Sequence, residues 1–321
     1  MKPGDAEFSN CVRLVSLALR EDLGPSGDRT SQAILPSDQK GSAVLMARGS
    51  GILAGLPVVD VVMDMVGMVI SRGGPPHEAP FPFPMQPEGK VGLQVKPPTF
   101  TMEAFLEDGQ SLSSGTLIAR IEGPMRHILA AERSTLNFLQ HLSGIATLTS
   151  RFVRAINGLP CRIFDTRKTT PGWRLLEKYA VRCGGGFNHR MGLYDGVLIK
   201  DNHLAALGGG ADAIRHSIQL AREKNGPEIP IEIEVEDLNL LDVALACRPD
   251  IVLLDNMSPD QLKEAVRRRN DKAPQVQLEA SGGITLENVR AAAETGVDRI
   301  SVGALTHSAP ALDIALDYAP V

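Results

Sequence analysis

The sequence predicts an α/β protein whose larger part is a parallel barrel. From residue 161 onward, short apolar runs alternate with helical runs, which predicts parallel strands joined by helices. Each apolar run ends in polar residues, as expected where the strand-to-helix loops of a barrel open on one face. With 321 residues, 43% of them hydrophobic, the chain is long enough to enclose a large core.

The first part of the chain mixes helical and strand patterns. Residues 9–20 predict a helix that Ser9 caps, and residues 43–55 and 115–123 predict strands. Residues 71–100 hold eight of the 22 prolines, so they predict an extended surface loop. We interpret this loop as a passive insertion rather than a ligand for a proline-recognition domain.

The most apolar window is residues 51–70. Pro57, Asp60 and Asp64 interrupt it. Because a charge at the middle of a bilayer is unfavourable, we predict a buried soluble element rather than a membrane span.

Residues 131–157 predict a long helix with a break near Gly144. Six strands are predicted after it, two fewer than in a complete barrel. An open doubly wound sheet would gather its site at one point, whereas here all six strand ends carry polar groups, so we favour the barrel. The predicted strands are residues 161–166, 196–202, 231–237, 250–256, 276–283 and 298–305.

Composition excludes several classes of function. The net charge of −5 and a pI near 5.8 argue against general binding to nucleic acid or anionic membranes, but not against one basic pocket for a small anion. The N-terminus resembles no signal peptide, so we expect a cytoplasmic protein. Four widely spaced cysteines predict free thiols in a reducing compartment: Cys11, Cys161, Cys183 and Cys247.

Cations are concentrated between residues 162 and 200, where eight Lys and Arg face only three acidic residues. Arg174, Lys178 and Arg182 recur every four residues, which predicts one solvated face of a helix. The other candidates lie in loops or at a strand end, and we expect them to bind an anion. They are Arg167, Lys168, Arg190 and Lys200.

Two further patterns point to anions. The segment EASGGIT, residues 279–285, ends a strand with Ser281, Gly282 and Gly283, and the backbone N–H groups of such a turn suit a phosphate. His189 follows GGGF and precedes Arg190. From its position alone it is either a hydrogen-bond donor to an anion or a structural histidine.

Two acidic residues and one lysine at strand ends leave alternatives open. Glu236 and Asp255 could bind sugar hydroxyls, bind Mg²⁺, or act as a general acid and base. Equally, they could form ion pairs with neighbouring Lys and Arg. Lys200 also fits the position of a Schiff-base lysine in a barrel aldolase.

Taken together, several motifs resemble the quinolinate phosphoribosyltransferase family, also called the nicotinate-nucleotide pyrophosphorylases. The resemblance covers nearly the whole chain. The motifs are EDLGPSGDRTS (21–31), AERSTLNFLQHLSGIAT (131–147), DTRKTTPG (165–172), LIKDNH (198–203), EIEVED (232–237), VLLDN (252–256), EASGGIT (279–285) and SVGALTHSAPALD (301–313).

The resemblance implies an N-terminal α/β domain, an open-faced sandwich, joined to an incomplete parallel α/β barrel. On this basis we assign residues 1–135 to the first domain, with 71–100 as an insertion longer than the family leads us to expect. Residues 136–307 are assigned to the barrel, and residues 308–321 to a segment that returns to the N-terminal domain.

The resemblance also implies a reaction, a cofactor and an assembly. Quinolinate and phosphoribosyl pyrophosphate would react with Mg²⁺ present to give nicotinate mononucleotide, pyrophosphate and CO₂, on the route to NAD. The family works as a homodimer or a larger assembly such as a hexamer, in which the partner's N-terminal domain covers each barrel mouth.

By motif, the resemblance implies a role for twelve residues. Arg133 would reach into the partner's site; Arg167, His189 and Arg190 would hold the two carboxylates of quinolinate; Lys168 and Lys200 would face the negative groups of the substrates; Glu236 and Asp255 would lie near the ribose and Mg²⁺; and Ser281, Gly282, Gly283 and Gly303 would form the phosphate loops. The catalytic set would be Lys168, Lys200, Glu236 and Asp255.

Three other functions remain open at this point. A related barrel phosphoribosyltransferase, such as the molybdenum-associated paralogue, would act on another acid. An aldolase would use Lys200, and a non-enzymatic scaffold would bind partners through the PFPFP run of residues 80–84.

Overall fold

The computed structural model describes residues 3–71 and 100–319. These residues cluster into two compact units. The first unit comprises the described residues within 1–148, 170–185 and 308–321, and the second comprises residues 149–169 and 186–307. Apart from its first and last residues, the predicted insertion at 71–100 lies outside the described residues.

Helices and strands alternate along most of the described chain. The helices are α1 Asp5–Leu23, α2 Arg29–Ile34, α3 Leu56–Ser71, α4 Met125–Ala155, α5 Arg174–Cys183, α6 Asp201–Ala206, α7 Gly210–Asn225, α8 Leu238–Cys247, α9 Pro259–Lys272, α10 Val289–Ala293 and α11 Ala304–His307. The strands are β1 Lys40–Ala47, β2 Gly51–Ile52, β3 Thr101–Ala104, β4 Ser111–Leu112, β5 Leu117–Pro124, β6 Arg162–Phe164, β7 Val197–Ile199, β8 Ile231–Val235, β9 Ile251–Asp255, β10 Gln277–Ser281, β11 Arg299–Ser301 and β12 Ile314–Ala319.

The first unit contains a four-stranded antiparallel sheet in the order β12-β1-β5-β3. The last strand of the described chain therefore pairs with the first. Helix α1 contacts α3 and α5 within the same unit.

The apolar window at 51–70 forms β2 and α3. Its residues Val59, Val62, Met63 and Val66 are fully buried, so the prediction of a buried element is confirmed. Within residues 3–71 and 100–319, no helix is both long and apolar enough to cross a membrane.

The prediction of a solvated face formed by Arg174, Lys178 and Arg182 was wrong, because Lys178 on α5 is fully buried.

Two further helix predictions were wrong in detail. Helix α1 begins at Asp5, so Ser9 lies inside it rather than at its cap. Asp5 and Glu7 stabilise the earlier start, because acidic side chains in a first turn face the positive end of the helix dipole, and the Glu7 carboxylate accepts the N–H of Gly4. Helix α4 also continues through Gly144 without a break.

Gly144 has a packing role. A Cβ at this position would press on the carbonyl oxygen of Pro310 and would lie 3.2 Å from the Cα of Ala311. The helix therefore uses glycine where the main chain at Pro310 comes too close for any side chain.

We predict that Gly144→Ala destabilises the protein by about 1–3 kcal/mol, because either the helix or the Pro310 segment must shift to admit the methyl group. Thermal or denaturant unfolding measures this change. Arg151→Ala, at an exposed position of the same helix, is the control and should stay within about 0.5 kcal/mol of the wild type. Equal stability of Gly144→Ala and the control would show that the close contact is readily relieved.

The second unit contains a parallel sheet of six strands in the order β6-β11-β10-β9-β8-β7. All six predicted strands are present, and the prediction of an incomplete α/β barrel is confirmed. All five residues of β8 are buried, as expected of a strand covered on both faces. Because the strands are parallel, their carboxyl ends meet along one edge, and the loops that follow them gather the polar residues there.

Candidate active site

A cavity of about 610 Å³ opens at the carboxyl ends of the parallel strands in the second unit. Nine of the twelve residues that the sequence predicted for the site line this cavity, and Arg133, Glu236 and Gly303 do not. The lining residues are Thr166, Arg167, Lys168, His189, Arg190, Leu198, Lys200, Glu234, Leu253, Asp255, Asn256, Glu279, Ser281, Gly282, Gly283 and Ser301.

The four cations expected to bind an anion all line the cavity. Lys200 Nζ lies 2.9 Å from Glu234 Oε2. The side chain of Lys168 runs past Gly303, where a Cβ would be only 2.9 Å from the lysine Cδ. Gly303 thus contributes indirectly, because its missing side chain makes room for Lys168.

The guanidinium groups of Arg167 and Arg190 lie close enough for their positive charges to repel each other. Burial lowers the pKa of Arg190, and the positive charge of Arg167 lowers it further. The Arg190 guanidinium donates a hydrogen bond from Nη1 to the carbonyl of Gly196 at 2.8 Å. A bound anion would relieve the repulsion between the arginines, which is the electrostatic arrangement expected of a carboxylate site.

The turn after β10 requires glycine at residue 282. Gly282 has φ +91°, and a Cβ there would overlap the side-chain amide of Asn256. Gly283 also has positive φ, at +58°. Two successive residues of this kind turn the chain sharply after Ser281, and all three line the cavity with Asn256.

The two predicted carboxylates have different environments. Asp255 ends β9 and lines the cavity, whereas Glu236 follows the end of β8, is exposed and does not line it. The carboxylate of β8 at the cavity is Glu234. The prediction that Glu236 faces the cavity is therefore corrected to Glu234, because the strand ends at Val235 and the chain turns away after it.

His189 lies at the floor of the cavity, and both of its ring nitrogens have partners within the protein. Nε2 lies 2.8 Å from Glu232 Oε2, and Nδ1 accepts the backbone N–H of Arg190 at 2.9 Å. Asp165 fixes the same loop, because its carboxylate accepts the backbone N–H of His189 at 2.9 Å and the side-chain amide of Asn188 at 2.6 Å.

Arg133 lies on α4, in the first unit. Its side chain is 58% exposed, and the carboxylate of Glu132 is 4.0 Å away. Such a side chain contributes little to the fold and is available to another molecule.

Sequence reasoning missed the acidic residues inside strands. It looked for functional groups after each strand, but Glu234 and Glu279 lie within β8 and β10 and line the cavity. A usable signal was present, since IEIEV places two glutamates in a strand that is otherwise wholly apolar. A buried carboxylate needs a cationic or hydrogen-bonding partner. Clusters of such paired ionisable groups are common at functional sites.

The donor groups of the cavity suit a hard divalent cation. Asp255, Glu234 and Asn256 offer carboxylate and amide oxygens, the ligands that Mg²⁺ prefers. His189, Glu232 and Glu279 form a second group of donor atoms, all within 4.8 Å of one another. Each group already has a cationic side chain beside one carboxylate: Lys200 Nζ lies 2.9 Å from Glu234 Oε2, and Arg299 Nε lies 2.7 Å from Glu279 Oε2.

Comparison with known families and proteins identifies the chain's relatives. Residues 145–317 match the model of the C-terminal domain of quinolinate phosphoribosyl transferase, and residues 86–143 match that of its N-terminal domain. The chain is 42% identical to the nicotinate-nucleotide pyrophosphorylase [carboxylating] of Mycobacterium leprae, over 98% of this chain and 99% of that protein. It is 39% identical to a probable enzyme of the same name from Bacillus subtilis, over 95% and 92% of the two chains.

Solved structures agree with the sequence relatives. NadC from Streptococcus pyogenes superposes with a TM-score of 0.83 at 34% identity, covering 99% of both chains. The nicotinate-nucleotide pyrophosphorylase of Francisella tularensis superposes with a TM-score of 0.81 at 35% identity, covering 99% of this chain and 98% of that one. With its parallel-strand cavity and these matches over nearly its full length, the chain belongs to the quinolinate phosphoribosyltransferase family.

Proposed function

We propose that this protein is a quinolinate phosphoribosyltransferase. It joins quinolinate to phosphoribosyl pyrophosphate and releases nicotinate mononucleotide, pyrophosphate and CO₂, a step of NAD biosynthesis. One observation carries the proposal beyond family membership: Arg167, Lys168, Arg190 and Lys200 converge on one cavity in a chain whose net charge is −5.

The electrostatics of the two substrates explain this concentration of charge. Quinolinate carries two carboxylates, and phosphoribosyl pyrophosphate carries a phosphate and a pyrophosphate, so the two molecules repel each other in water. Four cations in one cavity offset that repulsion. The planar forks of Arg167 and Arg190 match carboxylates, and the compact charges of Lys168 and Lys200 match phosphate oxygens.

The chemistry then needs no strong base. The ring nitrogen of quinolinate attacks the anomeric carbon of the ribose as the bond to pyrophosphate breaks, with positive charge developing on the sugar. Lys168 and Lys200 stabilise the departing anion, and Asp255 and Glu234 face the sugar.

Decarboxylation follows from the charge on the ring. Once alkylated, the ring nitrogen is cationic, and it stabilises the electron pair left on the adjacent carbon when CO₂ departs. A proton then joins that carbon. Positioning supplies much of the rate in such a reaction, with effective molarities of about 10⁵ M or more reached in well-oriented systems.

Mg²⁺ is the expected cofactor. Asp255, Glu234 and Asn256 would hold it, in place of the pair Glu236 and Asp255 expected from the sequence. When bound, Mg²⁺ supplies positive charge that stabilises pyrophosphate as a leaving group.

We further propose that the active form is a homodimer or a larger assembly in which Arg133 enters the partner's cavity. Its exposure and its weak contact with Glu132 support this role. Bringing one more guanidinium to a dicarboxylate raises both affinity and selectivity.

The aldolase hypothesis is less favoured. Lys200 is paired with Glu234 and surrounded by further cations at the cavity, an arrangement suited to anions rather than to a carbonyl substrate. A phosphoribosyltransferase acting on a different acid is the stronger alternative, because it would use the same ribose and phosphate contacts.

A direct assay tests the proposal. The full-length protein is incubated with phosphoribosyl pyrophosphate and Mg²⁺, in parallel with quinolinate and with nicotinate, and the nucleotide and CO₂ are measured. We expect turnover of quinolinate only, because both carboxylates are needed to engage the two arginines. Turnover of neither acid by folded, assembled protein would contradict the proposal and favour a different acid.

A further inference from the structure

Four ionisable side chains are buried together, two of them, His189 and Glu279, among the residues that line the cavity. The mechanism above uses none of the four directly as a reacting group. This buried cluster consists of His189, Glu232, Glu279 and Arg299, whose side chains are between 0% and 13% exposed. His189 Nε2 is 2.8 Å from Glu232 Oε2 and 3.6 Å from Glu279 Oε1. Arg299 Nε is 2.7 Å from Glu279 Oε2.

The hydrogen bonds define the protonation of the His189 ring. Because Nδ1 accepts the N–H of Arg190, it carries no proton, and the single ring proton lies on Nε2. That proton is donated to Glu232. The ring in this geometry is neutral, and neither nitrogen is left over for a substrate carboxylate.

The carboxylates around the His189 ring favour a second ring proton, and the hydrogen bond from the Arg190 backbone opposes it. Burial lowers the pKa of His189, but Glu232 and Glu279 outweigh burial and raise it above its ordinary value. A second ring proton could go only to Nδ1, where it would break the hydrogen bond from Arg190. Burial and the charge of Glu232 also raise the pKa of Glu279, to about 7, while Arg299 opposes this rise.

The cluster acts on the cavity through the main chain. His189 Nδ1 orients the backbone amide of Arg190, and the Arg190 side chain lines the cavity beside Arg167. Arg190 and three of the cluster, His189, Glu232 and Arg299, also line a second cavity of about 320 Å³ in the same unit. Because this second cavity lies beside the His189–Arg190 segment, dense packing does not fix the shape of that segment, and its hydrogen bonds do.

We propose that Glu232 and Glu279 are positioning residues for substrate recognition: they hold the His189 ring in its Nε2-protonated form and thereby fix Arg190 for the carboxylates of the acid. The inference rests on the proposed function, because it takes the ligand of Arg190 to be a dicarboxylate. It changes the expected role of His189 from direct ligand to a link between the strands and Arg190.

Two variants of Glu232 test the proposal. Glu232→Gln keeps an oxygen that accepts the Nε2 proton, so the KM for quinolinate should stay within about threefold of the wild type. Glu232→Leu removes the acceptor, and the KM for quinolinate should rise about tenfold or more, as expected for one buried hydrogen bond. The KM for phosphoribosyl pyrophosphate should be unchanged in both, since the perturbation reaches Arg190 rather than the phosphate loop.

The outcomes are separable. A wild-type KM for quinolinate in folded Glu232→Leu, or equal losses in both variants, would overturn the positioning role. If both KM values rise together in Glu232→Leu, the residue supports the whole cavity and the specific inference fails.

A spectroscopic measurement keeps the test independent of activity. In full-length protein labelled with ¹⁵N-histidine, the His189 signals are identified by their loss in His189→Gln. We expect one protonated and one unprotonated ring nitrogen at neutral pH in the wild type. Two protonated nitrogens would refute the inference even if quinolinate is the substrate. Failure of the wild type to use quinolinate would refute the proposed function and leave the observed tautomer standing.

Discussion

Replacing Arg133 by alanine should lower kcat/KM for quinolinate by about 10²-fold or more while leaving the protein folded. The loss of a charge-assisted hydrogen bond to a desolvated carboxylate costs about 2–5 kcal/mol, and each 1.4 kcal/mol is a factor of about ten. The fold should be unaffected because the side chain is 58% exposed and its only recorded ion pair among the described residues is a 4.0 Å contact with the Glu132 carboxylate. Steady-state kinetics and thermal unfolding measure the two effects.

A mixing experiment shows whether the site is shared. Arg133→Ala subunits alone and Lys168→Ala subunits alone should both be nearly inactive. In dimers formed from an equal mixture, half are mixed, and each mixed dimer has one site with both residues intact, so about a quarter of wild-type activity should return. Mixtures as inactive as the separate variants, despite proven subunit exchange, would place Arg133 outside any shared site.

Glu234→Gln should lower kcat by about 10²-fold. The variant leaves Lys200 without its carboxylate partner at 2.9 Å. In the proposed mechanism it also removes a negative charge that faces the sugar as positive charge develops there. Glu236→Gln should stay within about twofold of the wild type, because its side chain is exposed and outside the cavity. Parallel kinetics of the two variants measure the difference.

The two variants distinguish whether Glu234 or Glu236 is the functional carboxylate. If Glu236→Gln lost activity and Glu234→Gln kept it, the motif-based choice of Glu236 would be restored. Because both changes remove one negative charge from the same segment, a general electrostatic effect would lower both equally.

The case of Glu234 explains what the sequence could and could not predict. Apolar runs with polar ends sufficed to predict all six parallel strands, since each strand is short and contains at least one buried apolar residue. Alternation places Glu232 and Glu234 on one face of β8, and it would place Glu236 there too if the strand continued past Val235. Which of these side chains reaches the cavity depends on where the strand ends and on how far each residue lies from the carboxyl edge of the sheet. Both properties are determined by the folded sheet rather than by the neighbouring sequence.

His189 illustrates the same limit. Its partners Glu232 and Glu279 lie 43 and 90 residues further along the chain, on strands that only the folded sheet brings together. The sequence offered a histidine beside an arginine, and that pattern is compatible with a direct ligand or a structural residue. In contrast, the sequence sufficed to predict the four cations of the cavity, because a solubilising role gives no special reason for so many positive charges in loops and at a strand end.

The pairing of β12 with β1 has a consequence for biosynthesis. Ser42–Ala47 pair with Ile314–Ala319, so one side of β1 stays open until Ile314–Ala319 have left the ribosome. The parallel sheet has all its strands by Ser301, whereas the antiparallel sheet is begun first and finished last. An open strand edge is a template for pairing with other chains. Growing chains are therefore most prone to aggregate before the last strand is made, and proteins shortened at residue 313 would retain that hazard permanently.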